Sequence, residues 1–533
     1  MLTKATIASG IALLLLSAAC CLFISCASFD AKSPDDYIGY AKPAQEPNIP
    51  GTSTESVALE MPSADGPLSI SVTQATLLAL ENNRSLVVQR FNPQIMRTLE
   101  QQALAAFDPD LVFQIANTQN NPLYGPTTKT RTNSVDVGIQ QFLPTGTLWN
   151  LTGGTDIDLL RTTDDYQSRI AFSATQSLLR GFGTAVNLAT VNQARLDVKA
   201  SQYELRGFVQ ALVAEIEQTY WDYALAEQQI DIYTRSLDLA GKQLVETQER
   251  IKVGNLAPSE LAAAEAEVAL RQEALINARS VLAKTKLNLL RLINPSGENL
   301  WSREVVLKSR PVSPFIELDN VEPHVALALQ MRPELNQAKL LLQRDELEIV
   351  KTKNGLLPKL DLFITLGRSG YADSFGRSAK NIDNDYYDTL AGISFEYPPL
   401  NRAAEARHLR AVLSRDQARE SINNLAQLAQ VDVRSAYIEI VRAQEQLTAT
   451  AATRKLQEEK LQAETEKFRV GKSTSLLVAQ AQRDLLASQI SEIQAVVNHI
   501  EAFIELYRLE GSLLERRGIA GPGREPVKLP DMP

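Results

Sequence analysis

Two hydrophobic spacings alternate along the chain. In long stretches apolar positions recur every three to four residues, as on one face of a helix; between those stretches they recur every second residue, as on one face of a strand. The helical spacing is clearest from about Asn187 to Lys252. There Val209, Val213, Ile216, Tyr220, Tyr223, Ile230, Leu237, Leu244 and Ile251 form a seam of period 3.5, with Glu227, Thr234, Gly241 and Gln248 as its polar or small gaps. About 66 residues at about 1.5 Å each make a rod of about 100 Å. After Val253-Gly254 the pattern restarts from about Pro258 to Ile293, with Leu261, Val268, Leu275, Leu282 and Leu289 at heptad spacing. The break predicts two antiparallel helices joined by a short turn whose glycine takes the left-handed conformation.

The same plan occurs twice. A shift of about 217 residues superimposes Tyr220 on Tyr437, Gln229 on Gln446, Leu244 on Leu461 and Val253-Gly254 on Val470-Gly471, the signature of an internal repeat. The second long helix is predicted from about Ala403 to Arg469, and its return helix from Leu476 to Leu509. Upstream, helical patterns over Val72 to Phe107 and Val321 to Leu357, broken near Asn82-Asn83 and Arg332-Pro333, correspond at an offset of about 249 residues. Each leading helix and return helix, stacked end to end, would match one long helix, so one chain supplies four helix-widths of a wall.

The difference in offset, about 32 residues, places additional sequence in copy one, where the period changes to two. Leu111, Phe113 and Ile115 alternate with Val112, Gln114 and Ala116, and Val135, Val137 and Ile139 with Asp136, Gly138 and Gln140. Ile170 and Phe172 do the same, as do Leu360, Leu362, Ile364 and Leu366 and then Ala391, Ile393 and Phe395 in copy two. Segments 117–132 and 368–388 read as loops. Leu143-Pro144-Thr145-Gly146-Thr147 reads as a tight turn of a further hairpin ending near Asp158, which leaves four to six strands per chain. Strands of about 9 to 11 residues suit a tilted bilayer crossing. A small soluble sheet capping the helices is the alternative. A single chain has too few strands to close around a lumen, so a barrel needs several copies.

Charge and cysteine content narrow the setting. The net charge is -9, without a dense basic block, which argues against a nucleic-acid partner. All three cysteines, Cys20, Cys21 and Cys26, lie near the N-terminus behind Lys4 and an apolar run from Ile7 to Ile24. That is a secretory signal. Phe23-Ile24-Ser25-Cys26 resembles a bacterial lipobox with Cys26 as the lipidated residue, Cys20 and Cys21 being the other candidates. Ala27 after the cysteine then favours sorting to the outer membrane. The three histidines, His324, His408 and His499, are scattered over helical segments, and no nucleophile elbow, phosphate loop or metal-ligand spacing is present, so no catalytic residue, metal or cofactor is expected.

The signal, the duplicated plan of helix, strands, long helix, turn and helix, and the paired turns Arg250-Ile251-Lys252-Val253-Gly254 and Lys467-Phe468-Arg469-Val470-Gly471 together resemble the TolC family of outer-membrane factors. So do the strand-to-helix passages Ser177-Leu178-Leu179-Arg180-Gly181-Phe182-Gly183 and Tyr397-Pro398-Pro399-Leu400-Asn401. The resemblance spans about Leu68 to Leu514. It implies a mainly α fold with a membrane β part: coiled-coil hairpins forming a periplasmic tunnel above which the strands of a homotrimer share one barrel in outer-membrane lipid. The implied function is the passive exit duct of a tripartite efflux pump or type I secretion system. Its implied partners are a periplasmic adaptor protein and an inner-membrane transporter of RND, ABC or MFS type. A periplasmic adaptor lipoprotein is the rival reading, although an adaptor carries one hairpin between halves of a β domain, and this chain has two.

By the same resemblance the adaptor docks at the turns, with Val253, Leu256, Val470 and Leu477 as apolar contacts, Arg250, Lys467 and Arg469 for charge complementarity, and Gly254 and Gly471 shaping the bends. Some family members narrow the tunnel mouth with carboxylates six and nine residues after the second-copy glycine. Here those positions are Leu477 and Gln480, and only Glu260 of copy one is acidic at the equivalent place. An apolar constriction at Leu477, with a ring of Glu260, is therefore expected. The predicted division is a signal peptide 1–25, a lipid-anchored extension 26–68, repeat one 69–300, a linker 301–320, repeat two 321–514 and a disordered tail 515–533.

Overall fold

The computed structural model describes residues 66–120, 130–160, 165–295, 300–312, 319–383 and 385–528. The signal, Cys20, Cys21, Cys26 and most of the proline-rich extension lie outside them. Repeat one begins with a short strand β1 (Leu68–Ile70), helices α1 (Val72–Asn82) and α2 (Arg84–Leu104), and four strands, β2 (Asp110–Asn120), β3 (Thr130–Phe142), β4 (Thr147–Asp158) and β5 (Tyr166–Ser177). A short helix α3 (Thr184–Asn187) leads into the long helix α4 (Ala189–Lys252), and α5 (Ser259–Ile293) returns. After β6 (Val305–Leu307), repeat two runs through α6 (Val321–Met331), α7 (Pro333–Asn354), β7 (Lys359–Ala372), a short α8 (Phe375–Lys380), β8 (Tyr387–Glu396), the long α9 (Arg402–Arg469), α10 (Ser475–Leu509) and α11 (Leu513–Arg516).

Local chemistry fixes the breaks. Ser71 and Gln74 form a reciprocal capping box at the start of α1, with bonds of 3.2 and 3.0 Å. Asn83 ends α1 and caps α2 by accepting from the Leu86 amide at 3.0 Å, while its amide group donates to the Leu292 carbonyl at 2.9 Å. Pro333 opens α7 at its first position, where a missing N–H costs nothing.

The helices pack in the order expected of four helix-widths. One side of α4 carries α2 and α5, the other α7 and α10, and α9 lies against α7 and α10 in turn. The main core gathers where β1 and β6 pair in parallel beside α1, α4, α5 and α10. Tyr220, fully buried there, donates from its hydroxyl to the Ile70 carbonyl at 3.1 Å and accepts from the Ser309 amide at 3.0 Å.

Three boundaries differ from expectation. The segment read as a linker contains β6, whose three residues are too short to show a period. The strands extend further into the expected loops, β2 to Asn120 and β7 to Ala372, and α8 folds within the second loop. The expected disordered tail is packed as far as residue 528. Arg517 donates twice to the buried Glu217, at 2.6 and 2.8 Å, and the Val527 amide donates to Asn336 at 2.8 Å. Polar composition suggests disorder there, but side chains of α4 and α7, Glu217, Asn336 and Gln343 among them, supply the partners.

Candidate functional site

Six strands form one antiparallel sheet in the order β2-β3-β4-β5-β7-β8, the upper of the two strand counts left open by the sequence. The additional hairpin of copy one is β3–β4. Its turn is held at the helical end: the Asn187 side chain donates to the Pro144 and Gly181 carbonyls at 3.0 and 2.9 Å. Gly146, at φ 89°, approaches Gly181 so closely that a Cβ would stand 2.2 Å from its carbonyl oxygen.

The register separates two chemical faces. Phe113 pairs with Val137, Leu151 with Phe172, Phe172 with Leu366, and Leu362 with Ile393, so one face is apolar across all six strands. The opposite face carries Asp136, Asp156, Arg169, Asp388 and Glu396 among mostly small and uncharged polar residues, with Leu148, Phe363 and Leu390 as large apolar exceptions, and Arg169 meets Asp388 at 2.6 Å. Much of the apolar face is exposed in a single chain, Phe113 and Ile393 among its residues. An apolar exterior and a polar interior are what a lipid-facing barrel wall requires. Among the described residues no helix is long and apolar enough to cross a membrane.

At the other end of α4 and α9 lie the two turns. Lys252 is the last residue of α4 and Val253 its cap. The Asn255 amide donates to the Arg250 carbonyl at 2.8 Å and the Gly254 amide to the Ile251 carbonyl at 3.0 Å, the Schellman pattern, with Gly254 at φ 77°. The second turn repeats it: Lys472 to Lys467 at 2.8 Å, Gly471 to Phe468 at 3.1 Å, and Gly471 at φ 79°. Val253 and Val470 are exposed to 67% and 68%, whereas Leu256 is half-buried. Lys467 and Arg469 are exposed and pair within their own helix with Glu464 and Glu466 at 2.6 and 2.9 Å. Arg250 instead lies against the other hairpin, over Phe468, and also meets Glu246 at 2.7 Å.

Further contacts join the hairpins just behind the turns. Glu260 accepts from the Ser475 hydroxyl and Gln482 donates to Gln243 at 2.6 Å, while Lys460 meets Asp484 at 2.7 Å within the second hairpin. Leu477 and Gln480 are exposed near these contacts. The sequence reading leaves Arg250 and Glu260 on open surfaces; their cross-hairpin partners Phe468 and Ser475 belong to the other copy, which no intra-repeat period reveals. The three histidines stay apart: His324 bonds Glu510 at 2.6 Å, His408 meets Thr352 at 3.2 Å, and His499 packs edge-on against Phe503.

Comparison with known proteins agrees with this geometry. The sequence model of the outer membrane efflux protein family matches residues 150–295 and 325–512, the later part of repeat one and nearly all of repeat two. No curated protein sequence matches the chain. Among solved structures, the outer-membrane channel OprN is 16% identical, with a TM-score of 0.63 over 83% of this chain and 90% of that one. CusC gives 16%, 0.63, 88% and 98%, and the Campylobacter jejuni CmeC outer membrane channel 14%, 0.64, 84% and 89%. The two-hairpin plan and the family match together exclude the adaptor reading. The chain belongs to the outer membrane efflux protein family and is an outer-membrane channel of the kind that serves tripartite efflux pumps.

Proposed function

We propose that three copies of the chain close into one channel, with the sheets forming a single barrel in the outer membrane and the helices a duct through the periplasm. The observation that carries this reading is the pair of open sheet edges. β2 and β8 each present one side without a strand partner among the described residues. In lipid an unpaired row of backbone N–H and C=O groups is very costly, so a membrane sheet must close on itself. With six alternating strands, β2 and β8 run in opposite directions, and β8 of one copy can therefore pair antiparallel with β2 of the next.

Cys26 would carry the lipid anchor on the periplasmic side. At the turns, exposed Val253 and Val470 offer an apolar contact to a periplasmic adaptor, flanked by half-buried Leu256, with Lys467 and Arg469 orienting it and Gly254 and Gly471 setting the bend. Arg250 serves by holding the two turns in register. Glu260, Leu477 and Gln480 line the constriction at the duct mouth. An inner-membrane transporter delivers the cargo, either as an efflux pump or as a type I secretion system. Native mass spectrometry of the detergent-extracted chain tests the assembly: a particle of three protomer masses is expected, and a monomer at concentrations where channels form in bilayers would overturn it.

A further inference from the structure

The short helix α8 lies in the β7–β8 connection, at the end of the sheet remote from the long helices. A helix in that place can roof the mouth or lie against the wall, and the strand register decides between the two. Ser378 of α8 is fully buried and bonds the Ser168 hydroxyl at 2.7 Å, and Ser168 bonds the Thr155 hydroxyl at 2.9 Å. A Cβ on Gly370 would stand 2.1 Å from the Ser378 carbonyl oxygen, and the Asn381 side chain donates to the Tyr371 carbonyl at 2.9 Å. Ile115 pairs with Val135, Val135 with Thr155, Thr155 with Ser168, and Ser168 with Gly370. Register partners share a face, so α8 is folded back over the apolar side of the sheet and away from the polar side.

Its height fits the border of a membrane. The step along β7 from Leu360 to Gly370, at about 3.4 Å per residue on a strand tilted by about 40°, is a rise of about 26 Å. The apolar band of a membrane barrel is about 25 Å tall and is bordered by aromatic residues. Up to Leu366 the side chains on this face of β7 are Leu and Ile; Arg368 follows, then Gly370 beneath α8. Towards the long helices the face ends in Trp149 and Phe395, and towards α8 in Tyr166 and Tyr387. To that upper border α8 adds Phe375, 60% exposed, and the exposed Arg377 and Lys380. Arg368 and Arg377 meet Asp383 and Asp373 at 3.4 Å, all four side chains being more than half exposed. Ion pairs so open to water are weak, and each guanidinium remains available to a phosphate, which its planar fork fits.

We infer that α8 is an interfacial lipid anchor: it lies on the outside of the barrel, Phe375 enters the membrane where headgroups meet acyl chains, and Arg368 and Arg377 bind headgroup phosphates. This rests on the proposed barrel, which makes the apolar face the lipid side. The partner is phosphate-bearing lipid and not phosphate in solution, because Phe375 needs an apolar phase beside the two arginines. The hydroxyl bonds from Ser168 to Thr155 and Ser378 hold the helix at this height, and α8 leaves the mouth open.

A tryptophan at Phe375 tests the placement in the full chain, reconstituted in phosphatidylcholine vesicles brominated either near the headgroup or at the chain end. Phe375 is exposed, so Phe375→Trp keeps the packing of α8. The parent's fluorescence is subtracted, and its Trp149, on the apolar face, reports whether the sheet is in lipid. The added fluorescence is expected to be quenched about twofold more by bromine near the headgroup than by bromine at the chain end, and to be shielded from iodide in solution. Quenching by iodide, or no excess from the headgroup position, overturns the inference and leaves the channel reading standing. A Trp149 that neither lipid quenches contradicts the barrel, and the inference with it. For the phosphate contact, native mass spectrometry with phosphatidylglycerol compares the parent with the double variant Arg368→Gln, Arg377→Gln. Loss of about one retained lipid per protomer is expected, with no competition from inorganic phosphate. An unchanged lipid count, or displacement by inorganic phosphate, overturns the role of the two arginines.

Discussion

The guanidinium of Arg250 lies over the ring of Phe468, 4.4 Å from its centroid, and joins the turn of the first hairpin to that of the second. Phe468 is 6% exposed although it stands two residues before the cap of α9. Its equivalent in the first copy is Ile251, so the contact exists in one direction only. A cation over an aromatic face contributes about 0.5–1 kcal/mol where it is exposed to water and more where it is desolvated. Phe468→Ala is expected to raise hydrogen exchange at both turns by about five-fold, the equivalent of about 1 kcal/mol, and Arg250→Ala by less. Faster exchange confined to the second turn would show that the stacking does not couple them.

Gly254 and Gly471 hold left-handed conformations, and a Cβ at either would have nothing within 4 Å of it, so strain is the whole cost of a side chain there. Each Gly→Ala substitution is expected to cost about 1–2 kcal/mol, and Gly→Asn less, because asparagine tolerates this region. Thermal unfolding of the variants checks the ranking, and equal losses for Ala and Asn would point to a steric cause instead.

Burial, reinforced by the Asp222 carboxylate, pushes Glu501 on α10 up to about 7 from 4.5. The folded chain binds this proton more tightly than the unfolded chain. Below about pH 4.5 both states hold it and nothing is lost; stability falls as pH rises from there to about 7, and the full penalty persists above. Glu501→Gln should therefore raise the melting temperature more at pH 8 than at pH 5. The same increment at both values would rule out titration as the cause.

Much of this architecture is readable in the chain. The heptad seam and the Val-Gly breaks locate α4, α5, α9 and α10 to within a few residues, because a long amphipathic period is repeated many times. Alternating Leu111-Phe113-Ile115 and Leu360-Leu362-Ile364 locate strands for the same reason. What escapes such a reading depends on contacts distant in sequence. β1 and β6 are three residues each and exist by pairing with one another. The tail beyond residue 515 is polar, and it is fixed by Glu217 and Asn336. Arg250 and Glu260 are charged residues of an ordinary helix end, and only the docking of one copy on the other gives them Phe468 and Ser475.

Leu477 is exposed beside the Glu260–Ser475 contact at the proposed duct mouth. Leu477→Ser removes apolar bulk from each copy and is expected to raise single-channel conductance while leaving the stability within about 0.5 kcal/mol of the parent, as for surface positions generally. Unchanged conductance would remove Leu477 from the constriction.

In the proposed channel the open edges of the sheet are closed by other copies of the chain. Single-particle imaging of the full chain in lipid nanodiscs measures this directly. Three protomers around one axis, with β2 of each hydrogen-bonded to β8 of its neighbour in a continuous eighteen-stranded wall, is the predicted result. A particle whose β2 and β8 edges remain unpaired, or whose sheet folds back on its own helices, would contradict it.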